Sequence, residues 1–420
     1  MKTLSRALVA GGVAAAVAAF GAVSAASAAT VQSAAASYTP YLASADSTVR
    51  QIAQCGSTMY AVGTFTSIGS PGKANVTRNN VFSFNATTGA VSSWNPNVNG
   101  TVNSIAFSAD CSSAYLGGSF STVHGTSVAN LAKVSTSTGA VDTAFKPQPN
   151  KVVYTLLRQG TRLLVGGAFK TIGGASRASM ASVSLASGVA DSYVNLGITG
   201  TIGTGTQRVY KFVVNHRGTQ LIVMGSFLQV AGQARQQTFV LDLGASSTTL
   251  DAWYSPMFNL ACISRLPYYV QAAAWSPDDT HLYYATTGRE GVSPLCDTVS
   301  AWNATADSNQ SPLWINPTAC DSLFSIAVDD SNVYVGGHQR WMSNFGVCES
   351  FNPGAISRTG IADLNVSDGS VTSWNPTRAR GHGADDMLLT STGLWVASDN
   401  FFGANDCAGT YHPGICFFPK

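Results

Sequence analysis

The sequence predicts an all-β chain, a seven-bladed β-propeller with four antiparallel strands per blade, and three observations carry that expectation. A short strand of the type Tyr115-Leu116-Gly117-Gly118-Ser119-Phe120 recurs at Tyr60 to Phe65, Leu164 to Phe169, Val223 to Phe227 and Tyr334 to His338. An aromatic-x-Pro stop closes the units, at Trp94-Asn95-Pro96, Phe145-Lys146-Pro147, Trp253-Tyr254-Ser255-Pro256, Trp314-Ile315-Asn316-Pro317 and Trp374-Asn375-Pro376. Only 10% of the residues are charged while 41 are Gly, which argues against long charged helices. Four short strands repeated every ~50–60 residues match propeller blades rather than a solenoid or a sandwich. Two unrelated all-β domains are the competing arrangement.

The chain opens with Lys2 and Arg6 before an Ala/Val/Gly-rich run from Ala7 to Val23, and Ala26-Ser27-Ala28 offers small residues at a cleavage site. Residues 1–28 are therefore expected to be a cleaved export signal, and residues 29–420 a single propeller domain. The apolar run is shorter than the ~20 residues a spanning helix needs, so no membrane span is expected. Without Lys2 and Arg6 the basic count falls from 23 to 21, against 21 acidic residues. A formally neutral chain is a poor electrostatic partner for nucleic acid or anionic lipid. Eight cysteines with no C-x-x-C pair point to disulfides and an oxidising exterior.

Each unit begins with an apolar strand: Val49 to Ala53, Val102 to Phe107, Val152 to Leu157, Val209 to Val214, Val270 to Ala274 and Phe324 to Val328. The second strand carries the Gly-Gly-x-Phe signature, where Gly permits close approach of backbones and Phe wedges between sheets. Third strands run from Val81 to Asn85, Leu131 to Ser135, Phe239 to Leu243 and Gly360 to Asn365. Turns such as Thr88-Gly89-Ala90 then reverse the chain into a fourth strand. Signature strands near residues 60, 115, 164, 223, 283, 334 and 395 count seven blades. The last segment, Ile415 to Phe418, fits a third strand. Residues 31–39 are then expected to supply the missing outer strand, with Tyr38-Thr39-Pro40 in the place of the aromatic-x-Pro stop, which would remove an open edge.

The repeat resembles that of secreted bacterial propellers built from the delta-60 repeat, relatives of fungal cortical cell-polarity markers of the same repeat type. The residues that carry the resemblance most closely are Gly336 to Trp341, Pro353 to Arg358 and Trp374 to Arg378. It implies a propeller and supplies no activity. Cys320, Cys348, Cys407 and Cys416 are not part of the family pattern, so the bridges are paired from topology. Cys55 and Cys111 follow the first strands of adjacent blades. Cys262 and Cys296 flank one blade's signature strand, Cys320 and Cys348 repeat this in the next, and Cys407 and Cys416 share the last blade. The expected set is 55–111, 262–296, 320–348 and 407–416.

Blades one to four keep the wedge, at Phe65, Phe120, Phe169 and Phe227, whereas the corresponding positions later are Gly288, Gln339 and Asn400. Sites that break a local rule are candidates for function. Beside them cluster Arg289 and Glu290, then His338, Arg340 and Trp341, then Asp399, and the last inter-blade loop adds Arg378, Arg380, His382, Asp385 and Asp386. All are expected to open on one face near the axis. Each also has a structural explanation: Arg340 and Arg378 as caps on carboxylates, Trp341 as a core plug, His338 as a satisfied inner-strand residue, and the two aspartates as partners of the arginines.

Two functions follow. The first is a secreted, monomeric, non-catalytic binding module for an extracellular glycan or protein, without cofactor or metal. The second is an enzyme acting on extracellular polysaccharide, a lyase or hydrolase, with His338 or His382 moving a proton and Arg340 or Arg378 neutralising a carboxylate. No paired carboxylates at matching positions favour a glycosidase.

Overall fold

The structure, a computed structural model, describes residues 30–263, 269–289, 293–378, 383–401, 406–407 and 409–420. Val31–Lys420 form one unit by their contacts and carry every element below. The chain is all-β, built from many small antiparallel sheets. Seven of these, numbered 1 to 7 in chain order, share one plan. In sheet 2, Thr101–Phe107 pairs with Ser113–Ser119, which pairs in turn with Leu131–Ser135. The equivalent first strands of the other six are Thr48–Cys55, Val153–Gln159, Arg208–Val214, Val270–Trp275, Leu323–Val328 and Ala384–Thr390. Each lies beside the first strand of the next sheet, and that of sheet 7 lies beside that of sheet 1.

The register between first and second strand slips by one residue at the same place in all seven sheets, between Val49 and Gln51, Val102 and Ser104, Val153 and Thr155, Val209 and Lys211, Val270 and Ala272, Leu323 and Ser325, and Ala384 and Asp386. A bulge bends the strand and re-aims one side chain. It also explains the double glycine. A Cβ on Gly118 would sit 2.1 Å from the Thr101 carbonyl oxygen beside the bulge, and one on Gly117 would sit 2.6 Å from Val153 Cγ1 of the next sheet. One glycine admits the strand's own bulge and the other admits its neighbour. The wedge residues Phe65, Phe120, Phe169 and Phe227 are all buried.

The regular four-stranded plan holds only in sheets 4 and 5, where Thr248–Leu250 and Trp314–Pro317 extend the ladder. In sheets 1, 2, 3 and 6 the fourth segment is tied by single bridges, Phe84 to Val91, Val134 to Val141, Val183 to Ala190 and Leu364 to Val371. The aromatic stop of sheet 1 reaches the next sheet, where Trp94 Nε1 donates to the Ser135 carbonyl at 2.9 Å. Trp253 Nε1 makes the equivalent bond to Asn303 at 2.8 Å and Trp314 Nε1 to Val366 at 3.0 Å.

The N-terminal segment takes the same place on sheet 7. Gln32 N donates to the Pro419 carbonyl at 2.7 Å and Ala36 N to that of Phe417 at 2.8 Å, as Ser92 N does to Ser83 in sheet 1. Tyr38 Oη then reaches the Ala86 carbonyl of sheet 1 at 3.1 Å, the bond that Trp94 makes one sheet further on. Residues 31–39 run as an irregular edge rather than as a ladder. Between first strands the seam is closed by the residue after the bulge. Gln51 Oε1 accepts from Ile105 N at 2.7 Å and Ser104 Oγ from Leu156 N at 3.1 Å; Asp386 Oδ2 accepts from Ile52 N at 3.1 Å, which joins sheet 7 to sheet 1.

The four disulfides are Cys55–Cys111, Cys262–Cys296, Cys320–Cys348 and Cys407–Cys416, the pairings expected from the order of strands and loops. Each closes a loop whose unfolded freedom it removes, an effect typically of ~2–4 kcal/mol.

Deleting residues 31–42 is expected to leave the circular-dichroism strand signal nearly unchanged while lowering the melting temperature by roughly 5 °C or more, because the truncation uncovers the Ile415–Pro419 edge. An unaltered melting temperature would remove this segment from the closure.

Candidate functional site

The residue re-aimed by each bulge is Arg50 in sheet 1, Asn103 in sheet 2, Tyr154 and Tyr210 in sheets 3 and 4, Gln271 in sheet 5, Phe324 in sheet 6 and Asp385 in sheet 7. All seven line one cavity of about 640 Å³, bounded by the seven first strands. That volume is in the range of small-ligand sites. Further along the same strands the wall is more apolar, with Val213, Trp275, Val328 and Leu389. The bulge end is therefore polar and the opposite end largely greasy.

Charges on the wall fall into pairs and remainders. Lys211 of sheet 4 and Asp386 of sheet 7 form an ion pair at 3.6 Å, although these two sheets are not neighbours, so the pair reaches across the cavity. Arg208 donates to Tyr154 Oη at 3.5 Å and lies 5.7 Å from the centre of that ring. Asn103 Nδ2 donates to the Val153 carbonyl at 2.9 Å, and Tyr210 Oη donates to that of Val270. Among the described residues, the side chains of Arg50, Gln271 and Asp385 make no hydrogen bond or ion pair. They present a guanidinium, a carboxamide and a carboxyl to the cavity. Burial pushes the Asp385 carboxyl up to about 7, a shift that Arg50 beside it partly offsets and that Asp399 reinforces. Asp386 is likewise raised by burial, with Lys211 opposing.

The residues expected from the missing wedge are distributed differently. Asp385 and Asp386 do reach the cavity, and the His338 ring packs against Phe324, 5.5 Å between centres. Gln339, Arg378 and Asp399, expected on an open face, are buried. Asp399 accepts from Gly383 N and Phe401 N, both at 2.9 Å, and Asn400 next to it bonds to the Ser44 carbonyl at 2.9 Å. Asn400 thus ties the N-terminal segment to sheet 7, while the Asp399 carboxylate holds the backbone donors of Gly383 and Phe401, which explains both without a ligand. Arg340 holds Asp321 by both carboxylate oxygens, Nε to Oδ2 at 2.8 Å and Nη2 to Oδ1 at 2.9 Å, and stacks over Trp341 at 4.3 Å. Its planar fork is thus occupied by a buried carboxylate, and Trp341 supports that arrangement. Arg289 makes a surface ion pair with Glu349 at 3.3 Å, a contact of small energetic weight. Glu290, Arg380 and His382 lie outside the described residues.

Sequence reasoning missed Arg50, Asn103, Tyr154, Tyr210, Gln271 and Phe324. A signal was present. In every repeat the residue after the first apolar position of the first strand, Val49, Val102, Val153, Val209, Val270, Leu323 or Ala384, varies in chemistry from unit to unit. A strictly structural position would repeat its residue type, as the neighbouring apolar position does.

Arg340→Lys is expected to keep the charge and lose the two-point grip on Asp321, lowering stability by about 1–3 kcal/mol in denaturant unfolding. Unchanged stability would free Arg340 for a ligand after all. A second expectation concerns Asp297, buried against Ser322, whose carboxyl burial raises to about 7. The folded chain then holds a proton that the unfolded chain releases between about pH 4 and 7, so this group's contribution falls as pH rises through that window. Asp297→Asn should therefore gain on the wild type in melting temperature from pH 5 to pH 8, and parallel profiles would contradict this. Comparison with protein-family models and with curated proteins gives no match. Among solved structures, the computationally designed Ika8 protein aligns with a TM-score of 0.44 at 10% identity, over 90% of this chain and 98% of that chain.

Proposed function

We propose that this chain is a secreted, disulfide-stabilised seven-bladed β-propeller of the delta-60 repeat type that acts as a non-catalytic binding module, with residues 1–28 its export signal and an extracellular glycan its ligand. The single observation that carries the binding proposal is that seven equivalent bulges aim side chains of six different kinds into one cavity. A bulge repeated for structural reasons alone has no need of an Arg, an Asn, two Tyr, a Gln, a Phe and an Asp at the same position. Three of these side chains make no hydrogen bond or ion pair among the described residues, and a polar wall of this kind suits a ligand rich in hydroxyl groups. The seven matching sheets, the order of neighbouring first strands and the disulfides support the propeller and an oxidising compartment.

Gln271→Trp introduces a bulky ring at the cavity wall. Against an array of extracellular polysaccharides and their oligomers, the wild type should bind at least one class. The filled variant should lose that binding with a melting temperature within about 3 °C of the wild type, because the Gln271 side chain has no hydrogen bond to lose among the described residues. Binding retained by the filled variant would exclude the cavity as the site.

A further inference from the structure

The charges on the cavity wall are unevenly partnered. Lys211 and Asp386 neutralise one another across it, and Arg208 is engaged with Tyr154. Asp385, the carboxyl next to Arg50 on the adjoining sheet, comes within electrostatic reach of that guanidinium, yet the two form no ion pair. Arg50 is exposed to the cavity and, among the described residues, has no hydrogen-bond partner. A guanidinium has five donors in a fixed fork, matched to a carboxylate, and cannot lose its charge at any physiological pH. Exposed and without a hydrogen-bond partner, the fork is available to an anion that enters the cavity. Around it, Gln271 and Asp385 offer an amide and a carboxyl to hydroxyl groups, and Tyr154 and Phe324 offer ring faces. A peptide carboxylate fits the guanidinium as well, and its backbone amides match Gln271 and Asp385, so an acidic peptide serves as the competing probe.

We infer, on the basis of the binding module proposed above, that the cavity takes an acidic sugar, a uronic acid residue of a glycan, with Arg50 gripping the sugar carboxylate and Gln271 and Asp385 bonding its hydroxyls. Arg50 is then the residue that sets specificity for charge. The Lys211–Asp386 pair lies one residue further along the strands than Tyr210 and Asp385.

The test uses trimers of glucuronic, galacturonic and mannuronic acid and their methyl esters, which keep the hydroxyls and remove the charge, in calorimetric titrations. One acid trimer should bind, and its ester about tenfold or more weaker, the loss of a charge-assisted contact. Arg50→Ala and Arg50→Gln should bring the acid down to the level of the ester, while both variants melt like the wild type because Arg50 has no partner to lose. Acid and ester bound alike, or a preference that survives both variants, overturns the acidic-sugar inference. If the filled Gln271→Trp variant still abolishes array binding in that event, the binding module stands without it. No binding of any of the three acids, or tighter binding of an acidic peptide such as a tri-glutamate, overturns it as well.

Discussion

One slipped residue per sheet governs this structure. At the start of every first strand the chain carries an extra residue opposite the second strand, and in five of the seven sheets the residue facing this bend is Gly, with Thr286 and Ser398 in sheets 5 and 7. Thr101 O against Gly118 is the plainest instance, and Thr48 O against Gly63 repeats it, 1.9 Å from where a Cβ would stand. Because the slip turns one side chain inward and leaves the following one beside the neighbouring sheet, it creates the cavity and the seam together. Gln51, Ser104 and Asp386 complete backbone donors of the adjoining sheet from that following position. Cavity and seam thus depend on consecutive residues: Asp385 faces the cavity, while Asp386 closes the seam and also pairs with Lys211 across the cavity.

That coupling explains what the sequence disclosed. Seven repeats, their strands, the glycine pairs and the four bridges were legible, because a Gly that admits a carbonyl and a Trp that reaches a carbonyl of the next sheet recur at fixed spacing. The place of Tyr38 was legible for the same reason, and its hydroxyl does reach Ala86 as Trp94 reaches Ser135. Fourth strands were over-read. Their residues alternate as strands do, yet four of them keep only a single bridge, and the aromatic that ends them does not decide this, since Trp253 and Trp314 reach the next sheet from the two segments that do form ladders.

The candidate site was only partly legible. Looking for positions where the wedge Phe is lost correctly found anomalies, yet Gln339 and Asp399 proved buried and Arg340 proved to clasp Asp321. Polar residues in place of a wedge are also what a seam needs when the chain ends must be tied, as Asn400 does for Ser44. The more telling departure lay one strand earlier, where a single position varies between repeats while its apolar neighbour does not. A period-two reading of the strand hides it, because the bulge breaks that period at the very residue concerned.

Arg50 and Asp385 illustrate how a weakly charged chain concentrates electrostatics. With 10% charged residues overall, three cations and two carboxylates on a single cavity wall are a dense grouping, and their field is strongest where water is excluded. The most direct measurement is a crystal of the protein soaked with a uronic-acid trimer. The bulge-lined cavity as the working site predicts sugar density there, with a carboxylate within hydrogen-bonding distance of Arg50. Density on the loops around Arg340 and Trp341 with an empty cavity would contradict it.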